Sequence, residues 1–174
     1  MSERALEIRA AAGAEDMATL RALFLEYQDW LRVDLCFQDF ETELATLPGH
    51  YAPPAGRLWL ATVDGALAGC VGVRPHEGPR AGESACEMKR LWLRPVYRNL
   101  GLGRRLAVTS IEAARAAGYR TICLDTLGFM DAARALYASL GFHEIPAYYD
   151  NPLDDVRYLA LDLSEAVKAG ARGG

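Results

Sequence analysis

The sequence predicts a mixed α/β domain of α+β character, with helices packed on a central sheet. Three observations carry this. Two apolar runs, Leu58–Val63 and Leu67–Val73, flank Asp64-Gly65, a dipeptide that favours a tight hairpin turn. From Cys86 onward, strand-length apolar runs alternate with stretches of helical period in the order β-α-β-α-β, followed by one more strand. A hydrophobic fraction of 51% and a charged fraction of 24% over 174 residues suit one folded core spanning 1–174 and are too little for two.

Each element has its own signal. Leu6–Arg9 reads as a short strand. Ala14–Arg32 carries Leu20, Leu23, Phe24, Tyr27 and Leu31 at helical spacing, with Glu15 and Asp16 suited to the positive start of a helix. Phe40, Leu44 and Leu47 suggest a second short helix, stopped by Pro48-Gly49. Tyr51–Gly56 is expected to be a Pro/Gly loop, and Pro75–Gly82 an exposed one. Strands follow at Cys86–Leu93 and Thr121–Asp125, with helices at Gly101–Ala117 and Met130–Leu140. Strands at Phe142–Ile145 and Val156–Leu163 close the domain, and 164–174 reads as a fraying tail.

Bulk properties narrow the function. The net charge of −4 gives a nucleic-acid partner no overall electrostatic help, although basic residues gather between Lys89 and Arg105. That local patch suits a small anionic ligand. Cys36, Cys70, Cys86 and Cys123 form no C-x-x-C pair, and His50, His76 and His143 are isolated, so no metal site is expected. No run approaches the ~20 apolar residues of a membrane span, and the N-terminus lacks an apolar signal core. The expectation is a reduced, cytoplasmic protein with neither membrane nor nucleic-acid partners.

The most informative stretch is E-M-K-R-L-W-L-R-P-V-Y-R-N-L-G-L-G-R-R-L, Glu87 to Leu106. A strand ends at Arg94-Pro95, a turn holds Arg98, Asn99, Leu100, Gly101, Leu102 and Gly103, and a helix begins. The glycines let backbone approach a ligand, the opening amides of the helix point at whatever precedes it, and its dipole favours an anion there. Arg98, Arg104 and Arg105 add positive charge. Pyrophosphate is a natural occupant, and a purely structural glycine turn is the alternative. Arg104 after Gly103 does not fit a Walker-A loop, and Leu106 does not fit the third small residue of a dinucleotide fingerprint, although Asp125 stands where such a fold keeps its ribose-binding acid.

R-N-L-G-L-G resembles the [RQ]-x-x-G-x-[GA] signature of the GNAT acetyltransferase superfamily. Glu87 and Pro95 on the preceding strand agree, as does A-A-R-A-L-Y-A-S-L-G-F from Ala132 to Phe142. D-T-L and P-A-Y-Y-D-N-P further resemble a bacterial subgroup. Met130 departs from the pattern, standing where many members carry Asn. The resemblance implies a mostly antiparallel mixed sheet of about seven strands, splayed between the fourth and fifth, with helices on both faces. It implies acetyl-CoA as co-substrate and direct attack of a neutral amine in a ternary complex. Backbone groups of Leu91, Trp92 and Leu93 would pair with the pantetheine arm, and amides from Arg98 to Arg104 would hold the pyrophosphate. A homodimer is compatible with the family and undecided by the sequence.

For the chemistry, Glu87 is the candidate general base, with pairing to Lys89 or Arg90 as the plain alternative. Tyr137 is the candidate acid for the leaving thiolate. Its spacing from Ala133 and Leu140 also fits a core aromatic, and the L-Y-x-x-x-G-F resemblance favours the acid. The acceptor is expected among Tyr27–Phe37, the end of Leu67–Arg74, and Tyr148, Tyr149, Asp150 and Asn151, with Lys89 or Arg90 anchoring a carboxylate. His76 reads as a solvated loop residue, with a second base as the alternative. The leading expectation is acetylation of a small-molecule amine. Acetylation of a protein N-terminus or lysine, and a non-catalytic acetyl-CoA sensor, are the alternatives.

Overall fold

The computed structural model of the chain describes residues 2–78 and 83–164, apart from the side chain of Phe37. The tail expected at 164–174 lies outside the described residues from 165 on, as does 79–82 of the expected loop. The elements run β1 (Leu6–Ala10), α1 (Gly13–Leu31), α2 (Phe40–Thr46), β2 (Arg57–Val63), β3 (Ala66–His76), β4 (Ala85–Leu93), α3 (Leu102–Ala116), β5 (Thr121–Leu127), α4 (Asp131–Ser139), β6 (His143–Ile145) and β7 (Val156–Asp162). Single 3-10 turns lie at Cys36–Gln38, Gly49–Tyr51 and Pro95–Tyr97.

The seven strands form one sheet in the order β1-β2-β3-β4-β5-β7-β6. The β1–β2, β2–β3, β5–β7 and β6–β7 pairs are antiparallel, and β4–β5 is parallel. The mixed, mostly antiparallel seven-stranded expectation is met. The β4–β5 ladder joins only Ala85–Glu87 to Thr121–Cys123, and β4 then continues to Leu93 beyond the ladder. The chain divides there into two compact units, Met1–Arg74 with Lys89–Ser110 and Pro75–Met88 with Ile111–Gly174.

In the first unit, Asp64 (φ 50°) and Gly65 (φ 81°) both take the left-handed conformation of a primed hairpin turn, as their pairing in sequence predicts. Leu20, Leu23 and Phe24 of α1 are fully buried, whereas Leu25 and Trp30 on its other faces stay exposed. Burying each such leucine contributes about 1.5–3 kcal/mol. Tyr51, expected in a loop, is instead a core residue, buried with its ring edge-on to Phe24. The Pro/Gly composition around it signals the turn but not the depth of its one aromatic. Gly69 of β3 admits a close approach by β4, because a Cβ there would meet the Trp92 carbonyl oxygen at 2.2 Å.

Asp16 serves the start of α1 as its position suggests. Its carboxylate pairs with Arg9 at 2.7 Å and accepts the Ala12 amide at 2.8 Å. The Arg9 hydrogen bond, then the backbone bond, hold its pKa down at about 2 against an ordinary 3.8. A folded-state pKa below the unfolded one means that this contribution is complete above the unfolded value and disappears as pH falls through about 2. The acid limb of Tm against pH should therefore be shallower in Asp16→Asn than in the wild type. Superimposable limbs would contradict the assignment.

In the second unit, β5 lies between β4 and β7, and Ile122, Cys123 and Leu124 are buried. Gly141 (φ 98°) ends α4, so that Leu140 and Phe142 both donate backbone N–H bonds to the Tyr137 carbonyl. That is the physical content of L-Y-x-x-x-G-F. The left-handed glycine folds Phe142 back onto Tyr137, with 5.7 Å between ring centres.

Candidate active site

The turn after β4 belongs to the first unit. Pro95 starts a 3-10 turn in which Tyr97 and Arg98 donate their amides to the Arg94 and Pro95 carbonyls. Asn99 (φ 65°) and Gly101 (φ 84°) are left-handed, and α3 begins at Leu102. A Cβ on Gly101 would meet nothing within 4 Å, so this glycine answers a backbone requirement and not a lack of space. Leu102 and Leu106 are fully buried and root the helix in the core. The Leu106 that breaks the dinucleotide pattern is thus a core residue. The first turn of α3 has no acidic residue and carries exposed Arg104 and Arg105. Helical amides without an i−4 acceptor, a dipole end and two cations suit a phosphate group, so the residues present fit the pyrophosphate of coenzyme A.

Arg98 is held by three contacts. Its Nε donates to the Leu93 carbonyl at 3.2 Å, and its guanidinium lies 4.9 Å from the Trp30 ring centre and 5.1 Å from that of Trp92. Among the described residues no carboxylate pairs with it, and desolvation lowers its pKa from the ordinary value. Leu91 and Leu93 are half-buried on β4, with Trp92 buried between them.

Lys89 and Arg90 are buried further back on β4. Arg90, expected to anchor an acceptor carboxylate, has its guanidinium on Glu43 instead, with Nε–Oε2 at 2.9 Å and Nη2–Oε1 at 3.1 Å. It also covers the Phe40 ring. Burial opposes the Glu43 charge, yet Arg90, Arg74 and Lys89 together hold its carboxyl below the usual range. Lys89 Nζ donates to Gln38 Oε1 at 3.1 Å. Arg90 itself has φ 60°, an unusual conformation for a strand residue, and it falls just beyond the point where the β4–β5 ladder stops.

The second unit gathers the other candidates. Glu87 is 2% exposed and sits opposite Cys123 at the last pair of the parallel ladder. The Tyr148 hydroxyl donates to Glu87 Oε2 at 2.8 Å. Tyr149 donates to Asp125 Oδ2 at 2.7 Å and accepts from Asn151 Nδ2 at 2.8 Å. The two tyrosine rings pack on each other and on Tyr158, whose hydroxyl donates to the Tyr149 carbonyl. Burial first, and then Glu87, push the Tyr148 phenol far above its ordinary pKa, and burial with Asp125 does the same for Tyr149. Both hydroxyls therefore stay protonated as donors across the working pH range.

Sequence reasoning joined Tyr148, Tyr149 and Asn151 in one loop but missed their two carboxylate partners as such. Asp125 was visible only as a ribose-type acid. His76, expected to be a solvated loop residue, instead ends β3, half-buried, with its ring edge-on to Tyr148 at 4.8 Å between ring centres and its Nδ1 accepting the Gly78 amide. Pro75, exposed in the strand, disguised that extension. Tyr137 is buried on α4 against Phe142. Met130 precedes α4 without capping it, and its sulfur accepts from Thr126 Oγ1.

Burial raises the thiols of Cys70, Cys86 and Cys123, the last to about 12, so none of these three is a thiolate near neutral pH. Among the described residues no group of His, Cys, Asp and Glu is arranged to hold a metal ion, and no helix is long and apolar enough to cross a membrane.

A parallel strand pair whose ladder breaks off and a strand-turn-helix suited to phosphate agree with an acetyl-CoA-dependent acyltransferase, the class that the relatives of this chain support. The sequence model of the acetyltransferase (GNAT) family matches residues 18–142, and the chain belongs to that family. It is 37% identical over 161 residues to an uncharacterized N-acetyltransferase of Schizosaccharomyces pombe, covering 92% of this chain and 96% of the relative. Its fold is similar to that of a GNAT-family acetyltransferase from Staphylococcus aureus, with a TM-score of 0.72 at 22% identity over 91% of this chain and 99% of the other. It is also similar to a Salmonella typhimurium protein solved with its cofactor acetyl-CoA, with a TM-score of 0.59 at 19% identity over 91% and 94%.

Proposed function

We propose that the chain transfers the acetyl group of acetyl-CoA to the primary amine of a small-molecule acceptor, by direct attack and with Glu87 as the general base. The observation that carries this reading is the buried Glu87 carboxylate at the end of the β4–β5 ladder, oriented by the Tyr148 hydroxyl. A Salmonella typhimurium protein of similar fold was solved with acetyl-CoA, which supports the choice of donor. When bound, acetyl-CoA supplies an acetyl thioester with a good leaving group.

This chain's own residues do the rest. The Arg98 amide is taken up by the Pro95 carbonyl, so backbone amides from Asn99 to Arg104 hold the pyrophosphate, and the backbone of Leu91, Trp92 and Leu93 lies along the pantetheine. The acceptor arrives as an ammonium and must lose a proton before its nitrogen can attack. Glu87 takes that proton, directly or through a water, while the Tyr148 hydroxyl fixes the orientation of the carboxyl group. Tyr149 and Asn151, tied to Asp125, shape the acceptor side. Arg90 acts through Glu43, by holding the backbone of β4. Tyr137 supplies the proton that the departing thiolate takes up. A Tyr137→Phe enzyme should lose about 10- to 100-fold in kcat with little change in KM for acetyl-CoA. An unchanged kcat would leave Tyr137 as packing alone.

The test of the reading is release of free thiol from acetyl-CoA against a panel of amines, with the acetylated amine identified by mass spectrometry. Turnover of one or more small amines supports it. Turnover of peptides alone, or binding of acetyl-CoA without any turnover, would overturn it.

A further inference from the structure

We infer that Trp30, on α1, is a positioning residue for the donor: with Trp92 it sets the guanidinium of Arg98 to meet a phosphate. The inference rests on the reading that the turn after β4 holds coenzyme A. The Arg98 side chain in that turn is fixed from several sides. Its Nε is spent on the Leu93 carbonyl at 3.2 Å, and both indoles cover it, at 4.9 and 5.1 Å. A guanidinium held in this way has a defined plane and direction, while its terminal nitrogens meet no carboxylate among the described residues. A desolvated cation lacking a protein counter-ion is matched to a ligand anion.

Both indoles are governed by α1. Trp30 stands in its last turn, 5.5 Å from Trp92 between ring centres. Trp92 donates its Nε1–H to Glu26, four residues earlier on the same helix, at 3.3 Å. Glu26 in turn takes Arg94 on both oxygens, at 2.7 and 3.1 Å, and Arg94, ahead of other causes, holds its carboxyl below the ordinary range. The end of α1 thus clamps the end of β4, and the clamp closes on Arg98. Trp30 is also 38% exposed, so its removal spares most of the core. Sequence motifs point at Arg98, whereas Trp30, 68 residues earlier in the chain (98 − 30), falls only within the Tyr27–Phe37 segment expected to line the acceptor pocket.

Two donors distinguish positioning from packing: acetyl-CoA and S-acetylpantetheine, which offers the same thioester without a pyrophosphate. The readout is the ratio of their kcat/KM values, measured first in the wild type. In Trp30→Ala and in Arg98→Lys, which keeps the charge but loses the fork, the ratio should fall about tenfold, the scale of one desolvated cation–π contact. Trp30→Phe keeps an aromatic face and should stay within about twofold of the wild type. An unchanged ratio in Trp30→Ala or in Arg98→Lys, with both donors weakened alike, would overturn the inference. If Trp30→Ala does not fold, the Arg98→Lys ratio decides. A wild type that uses neither donor would instead remove the donor reading, and this inference with it.

Discussion

Glu87→Gln should lower kcat/KM by about two to four orders of magnitude while leaving the fold intact. Gln matches Glu in shape, and its side-chain carbonyl can still accept the Tyr148 hydroxyl that Glu87 Oε2 accepts at 2.8 Å. What it cannot do is take a proton from the acceptor ammonium. The loss should therefore appear in kcat/KM for the amine, with the acetyl-CoA dissociation constant within about twofold of the wild type, because the donor is held by other residues. Tyr148→Phe should cost less, and the double variant should be no worse than Glu87→Gln alone, since Tyr148 acts through the carboxylate. Full activity in Glu87→Gln would end the assignment of Glu87 as base. Additive losses in the double variant would give Tyr148 a role independent of Glu87.

The second large effect concerns stability. Glu43→Gln should destabilise the protein by about 3–5 kcal/mol, the cost of leaving one member of a buried ion pair without its counter-charge. The side chains of Arg90 and Glu43 are only 3% and 8% exposed, and the pair is bidentate. Arg74 approaches the same carboxylate at 3.6 Å, so its loss removes the negative charge near two cations at once. Replacing both partners by apolar residues, Glu43→Leu with Arg90→Met, should recover most of the loss, because the desolvation cost then disappears from both sides. Urea unfolding measures both variants. A change below about 1 kcal/mol in Glu43→Gln, the scale of a surface pair, would show that water reaches this site.

These two effects mark what the sequence could and could not convey. The strand-turn-helix from Cys86 to Ala117 was legible because it is local: strand period, Pro95, two glycines and helical period follow one another along the chain. The Asp64-Gly65 hairpin was legible for the same reason. Tyr148, Tyr149 and Asn151 stood out as a polar aromatic loop, but their meaning depends on Glu87 and Asp125, which are 61 and 24 residues away from their respective tyrosines. Pairings at such separations leave no trace in periodicity. Arg90 shows the opposite error: its place beside Glu87 suggested a substrate contact, whereas Glu43, 47 residues earlier on α2, takes up its guanidinium. Adjacency along a strand does not decide where a long side chain goes. His76 and Tyr51 were misplaced by composition, since Pro and Gly neighbours signal turns without saying whether one aromatic ring faces inward.

We propose that the acetyl group passes directly from thioester to amine, with none resting on the protein. The raised thiols of Cys70, Cys86 and Cys123 agree with it, because a cysteine route needs a thiolate, and burial withholds one from all three. The most direct test is the initial-rate pattern with acetyl-CoA and the acceptor varied together, paired with the intact mass of the enzyme after exposure to acetyl-CoA alone. Direct transfer predicts intersecting double-reciprocal lines and a protein of unchanged mass. Parallel lines with one acetyl group added to the protein, removed when the amine is supplied, would contradict the account.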